Sequence, residues 1–372
     1  MRIAVLRERA AGESRVAATP ETVKKFIALG ATVAVECGAG LSASIADADY
    51  QAAGAELMPE PTVGAGIVLG VQGPEADLLA GVAPGAWIVA GLDPFVRRDR
   101  VDAYAAAGLE ALAMEFMPRI TRAQSMDILS SQSNLAGYKA VIDAAGTYGR
   151  AFPMMMTAAG TIAAAKAFIM GVGVAGLQAI ATARRLGAQV SATDVRSATK
   201  EQILSLGAKP IFVESVAGIE GEGAGGYATE MSEEYQRAQA ELVSSHIAKQ
   251  DIVITTALIP GRAAPRLITD AQIATMKPGS VIFDLAVAQG GNVEGSVPDQ
   301  IVERHGVRIM GWGNTPARLP ADASALFARN LYNFLSAFWN KDEGRPVLDA
   351  EIGDAIRLTQ GGKVVNPRLL TT

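Results

Sequence analysis

From the start of the chain to about Glu115, short apolar runs alternate with stretches whose apolar residues recur at helical spacing. The runs RIAVL, TVAVE, GIVLGV, WIVAGL and LEALAMEF predict strands, and Pro20 to Leu29 and a shorter segment near Asp47 to Ala53 predict helices. Such alternation implies a parallel sheet with right-handed crossovers. The stretch Met117 to Asn134, MPRITRAQSMDILSSQSN, then breaks the pattern with two arginines, an aspartate and several hydroxyl and amide side chains. It is expected to be a loop that carries some of a site.

Helical spacing resumes from Ala136 to about Gly149, and a second series follows: AAAKAFIMG, a helix over Val174 to Leu186, QVSATDV, a helix from Ser197, KPIFV, DIVITTAL, SVIFDLAV and VRIMG. Within it, Glu214 to Glu234 is rich in glycine and acid and longer than ordinary connections, so a mobile lid is expected there. A long helix after Gly311 is expected to return to the first domain. The chain then divides into a discontinuous domain, 1–130 plus 319–372, and an inserted domain, 131–318, with a cleft at the crossings as the expected ligand site.

With 372 residues the chain exceeds what one core organises. Hydrophobic residues make up 49% and aromatics 5%, which suits helices packed closely over parallel strands. A net charge of -5 without a recurring Lys/Arg block excludes a nucleic-acid footprint. Cys37 is the only cysteine, which excludes an internal disulfide; it is expected to be a small buried thiol. MRIAVLRERAAG places charges directly after a short strand, unlike a secretory signal, so a cytoplasmic location is expected. Ala167 to Ala183, AFIMGVGVAGLQAIATA, approaches membrane-spanning length, but its central glycines suit a strand turning into a helix, and no membrane span is expected.

That turn, GVGVAG, carries Gly171, Gly173 and Gly176 between a strand and an apolar helix. The first glycine permits the tight turn, the second lets a pyrophosphate approach backbone, and the third lets helix and strand pack closely. The helix N-terminus offers N–H groups to phosphate. Asp194 lies 18 residues beyond Gly176 (194 − 176), where a carboxylate accepts from the adenosine ribose, which favours NAD(H) over NADP(H). Nearby Arg196 would only partly offset the repulsion of a 2′-phosphate by Asp194. A second candidate, GAGLSA with Gly38, Gly40 and Ala43, reads as structural. Asp47 and Asp49 fall in the first turn of its helix, where they repel phosphate, and the next strand ends at Gln72 with no acid.

His246 and His305 are the only histidines and both are expected to be peripheral, so no nucleophile with a positioned base is evident. Metal-ligand spacing is missing as well. Oxidising a small alcohol or amine requires a general acid/base, for which no candidate stands out. Hydride transfer between two nicotinamides releases no proton from carbon and requires alignment and close approach, which the groups from Arg119 to Gln132 could supply.

The strings MPRITRAQSMDILSSQSN, FPMMMTAAGT, GVGVAGLQAIATARRLGA, TDVR, AGGYA, ITTALIPG, PGSVIFDLAV and GGNVEG occur in an order that resembles the NAD-binding subunit of proton-translocating transhydrogenases. The resemblance spans nearly the whole chain. It implies an α/β fold of two Rossmann-like doubly wound parallel-sheet domains separated by a cleft, the second inserted in the first, and a homodimer. It also implies hydride transfer from NADH to NADP+ bound on an NADP(H)-binding partner domain, with a membrane-embedded proton-channel subunit as further partner and a position peripheral to the inner membrane. Carried over by position, Arg119, Gln124, Asp127, Ser130 and Ser131 would line the nicotinamide end, with Gln124 orienting the ring and Arg119, Asp127 and Ser130 sharing the catalytic role. Gly171, Gly173, Val174, Gly176, Asp194 and Val195 would serve the adenosine and pyrophosphate, and Tyr227 would sit on a closing loop.

Two positions depart from the pattern: Ala288 stands where an acid is expected and Trp312 where histidine is usual. Alanine dehydrogenase is the alternative, since ESRVAATP with Arg15 resembles its opening. Gln72, however, replaces the carboxylate-binding lysine and WIVAGLDPF lacks the acid/base histidine, which argues against amino-acid oxidation. A non-catalytic NAD-responsive module is the third reading.

Overall fold

The computed structural model describes residues 1–213, 233–259 and 261–370. The chain divides into two compact units, Met1–Gln132 with Ala317–Thr372, and Ser133–Pro316.

The first unit is built on β1 (Arg2–Val5), α1 (Pro20–Ala28), β2 (Thr32–Glu36), α2 (Asp47–Ala52), β3 (Glu56–Met58), β4 (Ile67–Gln72), β5 (Trp87–Gly91), α3 (Arg98–Ala106) and β6 (Glu110–Ala113). Its strands pair in parallel in the order β3-β2-β1-β4-β5-β6, so the direction of winding reverses between β1 and β4. Continuous apolar runs form these strands because both faces are covered: Ile3, Val68, Leu69, Ile88 and Val89 are fully buried or nearly so. α1 starts where it does because Pro20 fits the first turn and Thr19 and Thr22 form a reciprocal capping box. β3 and α3 were not marked by the hydrophobic pattern: β3 is a short edge strand, and α3 is rich in charge.

The polar stretch is less of a loop than expected. Thr121–Met126 forms a 3-10 turn, and α4 (Ile128–Thr147) begins eight residues before Ala136 (136 − 128). The physical reason is Asp127, whose carboxylate accepts the Ser130 N–H at 3.0 Å and the Ser130 hydroxyl at 2.5 Å and so caps the helix.

The second unit contains a hairpin of β7 (Met155–Thr157) and β8 (Gly160–Ile162), then β9 (Lys166–Met170), α5 (Val174–Arg185), β10 (Gln189–Thr193), α6 (Thr199–Ser205), β11 (Lys209–Pro210), α7 (Glu233–Ile247), β12 (Ile252–Thr255), α8 (Asp270–Ile273), β13 (Val281–Asp284), β14 (Gln300–Arg304) and β15 (Val307–Gly311). The sheet order is β11-β10-β9-β12-β13-β15-β14, parallel except for the edge strand β14. Its two faces carry separate apolar clusters, one around Ile169, Ile180 and Phe283 and one around Phe168, Ile247 and Ile282. KPIFV forms only a two-residue strand at the sheet edge, where Pro210 can donate no ladder bond.

The final long helix, α9 (Pro320–Ala337), buries Phe327, Leu331, Phe334 and Leu335 in the core of the first unit. No helix among the described residues is long and apolar enough to cross a membrane. Cys37 corrects an expectation: it is exposed, because it follows β2 where the chain leaves the sheet in a turn.

Candidate functional site

In the second unit the GVGVAG turn joins β9 to α5 beside the point where winding reverses between β9 and β12, the usual ligand position of such sheets. Its three glycines do different work. Gly171 has φ +99, a left-handed conformation costly for other residues, and a Cβ there would meet Thr256 Oγ1 at 2.5 Å. A Cβ on Gly176 would run into the Gly171 carbonyl oxygen, so helix and turn touch backbone to backbone. Gly173, by contrast, has open space where its Cβ would be. The fold does not need that glycine for packing, but a pyrophosphate approaching the backbone would. Gly173 is also the N-cap of α5, and no side chain caps the helix, which leaves its first-turn N–H groups for an anion. Val174, the first helical residue, is exposed beside it.

Asp194 follows β10 and is 7% exposed. Its Oδ2 accepts the Val172 N–H at 2.7 Å, which ties the turn to the neighbouring strand, and Arg196 donates to both carboxylate oxygens from Nε (2.9 Å) and Nη2 (3.0 Å). A ribose therefore has to share Asp194 with Arg196. Val195 is half-buried between them.

Sequence reasoning missed the support from β12 and β13. Thr256 Oγ1 donates to the Gly171 carbonyl at 3.0 Å. Asn292 holds the Thr256–Ala257 segment by accepting the Ala257 N–H (3.1 Å) and donating to the Ala257 carbonyl (2.9 Å). Fully buried Asp284 in turn accepts the N–H groups of Ala286, Asn292 and Val293 and the hydroxyls of Thr255 and Ser296. The available signal was an aspartate ending an otherwise apolar strand, with GGN shortly after.

In the first unit Arg119 and Gln124 are exposed, while Asp127 and Ser130 are half-buried and bonded to each other. The Ser131 hydroxyl lies 2.7 Å from Asn330 Oδ1. Arg122 ties the same turn to Asp349 and Glu351. Below this turn a polar group sits at the β1/β4 reversal. Arg15 grips Glu13 at 2.7 Å through both Nε and Nη2, with the Glu13 side chain fully buried, and Gln72 Nε2 donates to Glu13 at 2.9 Å. Burial opposes charge on Glu13, yet the bonds and charge of Arg15, with Gln72, outweigh it and hold the carboxyl at about 2. Glu8, which accepts the Val71 and Gln72 N–H groups, is instead pushed by desolvation up to about 7. Asp93 occupies the WIVAGLDPF segment with φ +46, and Glu115 Oε1 accepts its N–H and that of Leu92. Desolvation also raises Glu115 to about 7, and its buried Oε2 has no hydrogen-bond partner.

GAGLSA is closed. The Asp47 carboxylate accepts the Gly38 N–H at 2.9 Å, and a Cβ on Gly40 would collide with Tyr50 and Ile45. His305 is exposed and bonded to Asp270, whereas His246 is less peripheral than expected. It is half-buried on α7, bonds Ser191 at 2.8 Å and packs edge-on to Phe168 at 4.6 Å, because α7 lies over the sheet. Burial and the charges of Lys209, Lys249 and Lys166 lower its pKa. Trp312 donates to Asp143 at 2.8 Å, and Ala288 is exposed in the turn after β13. Tyr227 and most of the expected lid, 214–232, lie outside the described residues.

Residues 4–136 match the family described as "Alanine dehydrogenase/PNT, N-terminal domain", and residues 140–367 match "Alanine dehydrogenase/PNT, C-terminal domain". The chain is 53% identical over 379 residues to the first portion of the NAD(P) transhydrogenase alpha subunit of Rhodospirillum rubrum, a separate polypeptide, covering 99% of both. The solved transhydrogenase of Sinorhizobium meliloti matches with a TM-score of 0.89 at 52% identity, covering 98% of this chain and 100% of that one. A solved L-alanine dehydrogenase matches with a TM-score of 0.80 at 26% identity, covering 100% of this chain and 98% of that one.

Proposed function

The chain belongs to the alanine dehydrogenase/PNT family, which implies nicotinamide nucleotide binding, and on that basis we propose that it is the NAD(H)-binding component of a proton-translocating transhydrogenase. In this reading hydride passes directly from NADH to NADP+ held on a separate partner domain. The observation that carries it is the GVGVAG turn, with open space at Gly173, an uncapped α5 and Asp194 at the end of the next strand. Gly171, Gly173, Val174 and Gly176 hold the pyrophosphate, and Asp194 and Val195 the adenosine end. A carboxylate at the ribose favours NAD(H) over a nucleotide with a 2′-phosphate.

Bound NADH supplies the hydride, so the protein's own work is alignment. Gln124 orients the nicotinamide carboxamide, and Arg119, Asp127, Ser130 and Ser131 complete the polar frame. No proton leaves carbon in such a transfer, which fits a frame without a tuned acid/base. The alternative, an alanine-dehydrogenase-like enzyme, needs a free cation for the substrate carboxylate. Against it, the Arg15 fork is closed by Glu13, and Gln72 offers no charge.

We further propose a homodimer that associates with the membrane through its proton-channel partner. An isolated hairpin is marginal in water, yet β7 and β8 expose Met155, Met156 and Ile162. A second copy is the proposed cover.

Reconstitution with an NADP(H)-binding partner tests the function. Transfer from NADH to an NADP+ analogue is expected only in the assembled complex. The protein alone, given pyruvate, ammonia and NADH, is expected to leave NADH unconsumed; robust consumption would overturn the proposal. Asp194→Ala is expected to weaken NADH binding in an equilibrium titration.

A further inference from the structure

The Thr121–Met126 turn of the first unit bears Gln124, yet nothing in its own sequence fixes its geometry: it is short, 3-10 and largely exposed. What fixes it is α9. Asn330, 7% exposed, donates from Nδ2 to the Ser125 carbonyl at 2.8 Å and accepts the Ser131 hydroxyl on Oδ1 at 2.7 Å. One turn later Asn333 Nδ2 reaches the same carbonyl at 3.0 Å. Both ends of the Asn330 amide are therefore committed, one on each side of the segment from Gln124 to Asp127.

The bond network continues inward. Gln132, also buried, donates to Ser131 Oγ at 3.3 Å and to the Ala323 carbonyl at 3.1 Å, and its Oε1 accepts from Arg15 Nη1 at 2.9 Å. Arg15 is locked by Glu13, and Glu13 by Gln72 at the end of β4. From Arg15 through Gln132, Ser131 and Asn330 to the Ser125 carbonyl, every donor points the same way, so each bond polarises the next.

We infer that Asn330 is a positioning residue for hydride transfer: through Ser125 and Ser131 it sets where Gln124 and Asp127 stand, without touching the nucleotide itself. This rests on the proposed alignment role of the turn. Ser131 then acts as a support of the frame, its hydroxyl already engaged. A misplacement of about 1 Å can slow a transfer by about 10²-fold while leaving binding nearly intact.

The test uses the reconstituted complex, with single-turnover transfer from NADH to an NADP+ analogue and a separate NADH titration. Asn330→Leu, close in size but without the amide, is expected to slow transfer by about 10²-fold with the NADH Kd within about threefold. Ser131→Ala should show a smaller loss of the same kind, and Ser131→Thr, which keeps the hydroxyl, should recover most of the rate. In a Gln124→Asn background, Asn330→Leu should cost little more, because one acts through the other. A wild-type rate in Asn330→Leu, parallel loss of rate and affinity, or full additivity with Gln124→Asn would overturn the inference. If Asn330→Leu fails to fold, the Ser131 pair decides by itself: equal rates in the Ala and Thr variants overturn it. Gln124→Asn separates the two levels. If it costs nothing, the alignment reading falls and this inference with it; if it slows transfer and Asn330→Leu does not, only the role of Asn330 falls.

Discussion

Two glycine-rich turns, one in each unit, leave the C-terminal end of a parallel strand with nearly the same spelling and come to opposite ends. After β2, GAGLSA is filled from within: the Asp47 carboxylate takes the Gly38 N–H, and Tyr50 and Ile45 occupy the space above Gly40. After β9, GVGVAG has no acid in the first turn of α5, no side-chain cap and open space at Gly173. A glycine pattern thus provides a turn, and whether the turn is an anion site depends on whether the protein has already supplied the anion.

The most disruptive way to probe this contrast is Gly176→Ala. The new Cβ meets a backbone oxygen that cannot move cheaply, so urea unfolding is expected to show a loss of about 3 kcal/mol or more, with NADH binding lost as well. A stable, binding-competent variant would mean that the close approach is not needed.

The units also differ in how they treat buried carboxyls. Asp284 in the second unit accepts five hydrogen bonds, whereas Glu115 in the first leaves Oε2 without one. Desolvation lifts Glu115 and Glu8 from 4.5 to about 7, so both bind a proton more tightly folded than unfolded. Their contribution is complete below the unfolded value and is lost as pH rises through about 7, by roughly 3 kcal/mol apiece. Denaturant titrations across that range should show the decline, and Glu115→Gln should remove its share of the slope. An unchanged slope would refute the assignment.

A gentler probe of the open turn is Gly173→Ala. Stability should stay within about 0.5 kcal/mol of the parent, while NADH binding weakens about tenfold, as measured by melting and titration. Equal affinity would place the pyrophosphate elsewhere. Asp47→Ala should have the smallest effect, about 1 kcal/mol of stability from the lost Gly38 contact, with NADH stoichiometry unchanged. A second bound nucleotide would show that Asp47 alone had kept the first turn closed.

The alternation of strand and helix, the division into two α/β units, the GVGVAG turn with Asp194, and the closure of GAGLSA by its own acid were all legible in the order of residues. These are local matters: periodicity, turn sterics and a charge a few residues away act before the chain has a tertiary structure. Cys37 lay outside that reach because exposure depends on where a strand ends, and so did the early start of α4, because a single capping carboxylate overrode a polar composition. It took the folded arrangement to establish that Arg196 shares Asp194, that Asp284 and Asn292 brace the turn beside Gly171, and that Asn330, about 200 residues away in sequence, grips the Gln124 turn. Hydrogen bonds of that span have no periodicity to betray them, since they are set by which elements pack together and not by the spacing of residues along the chain.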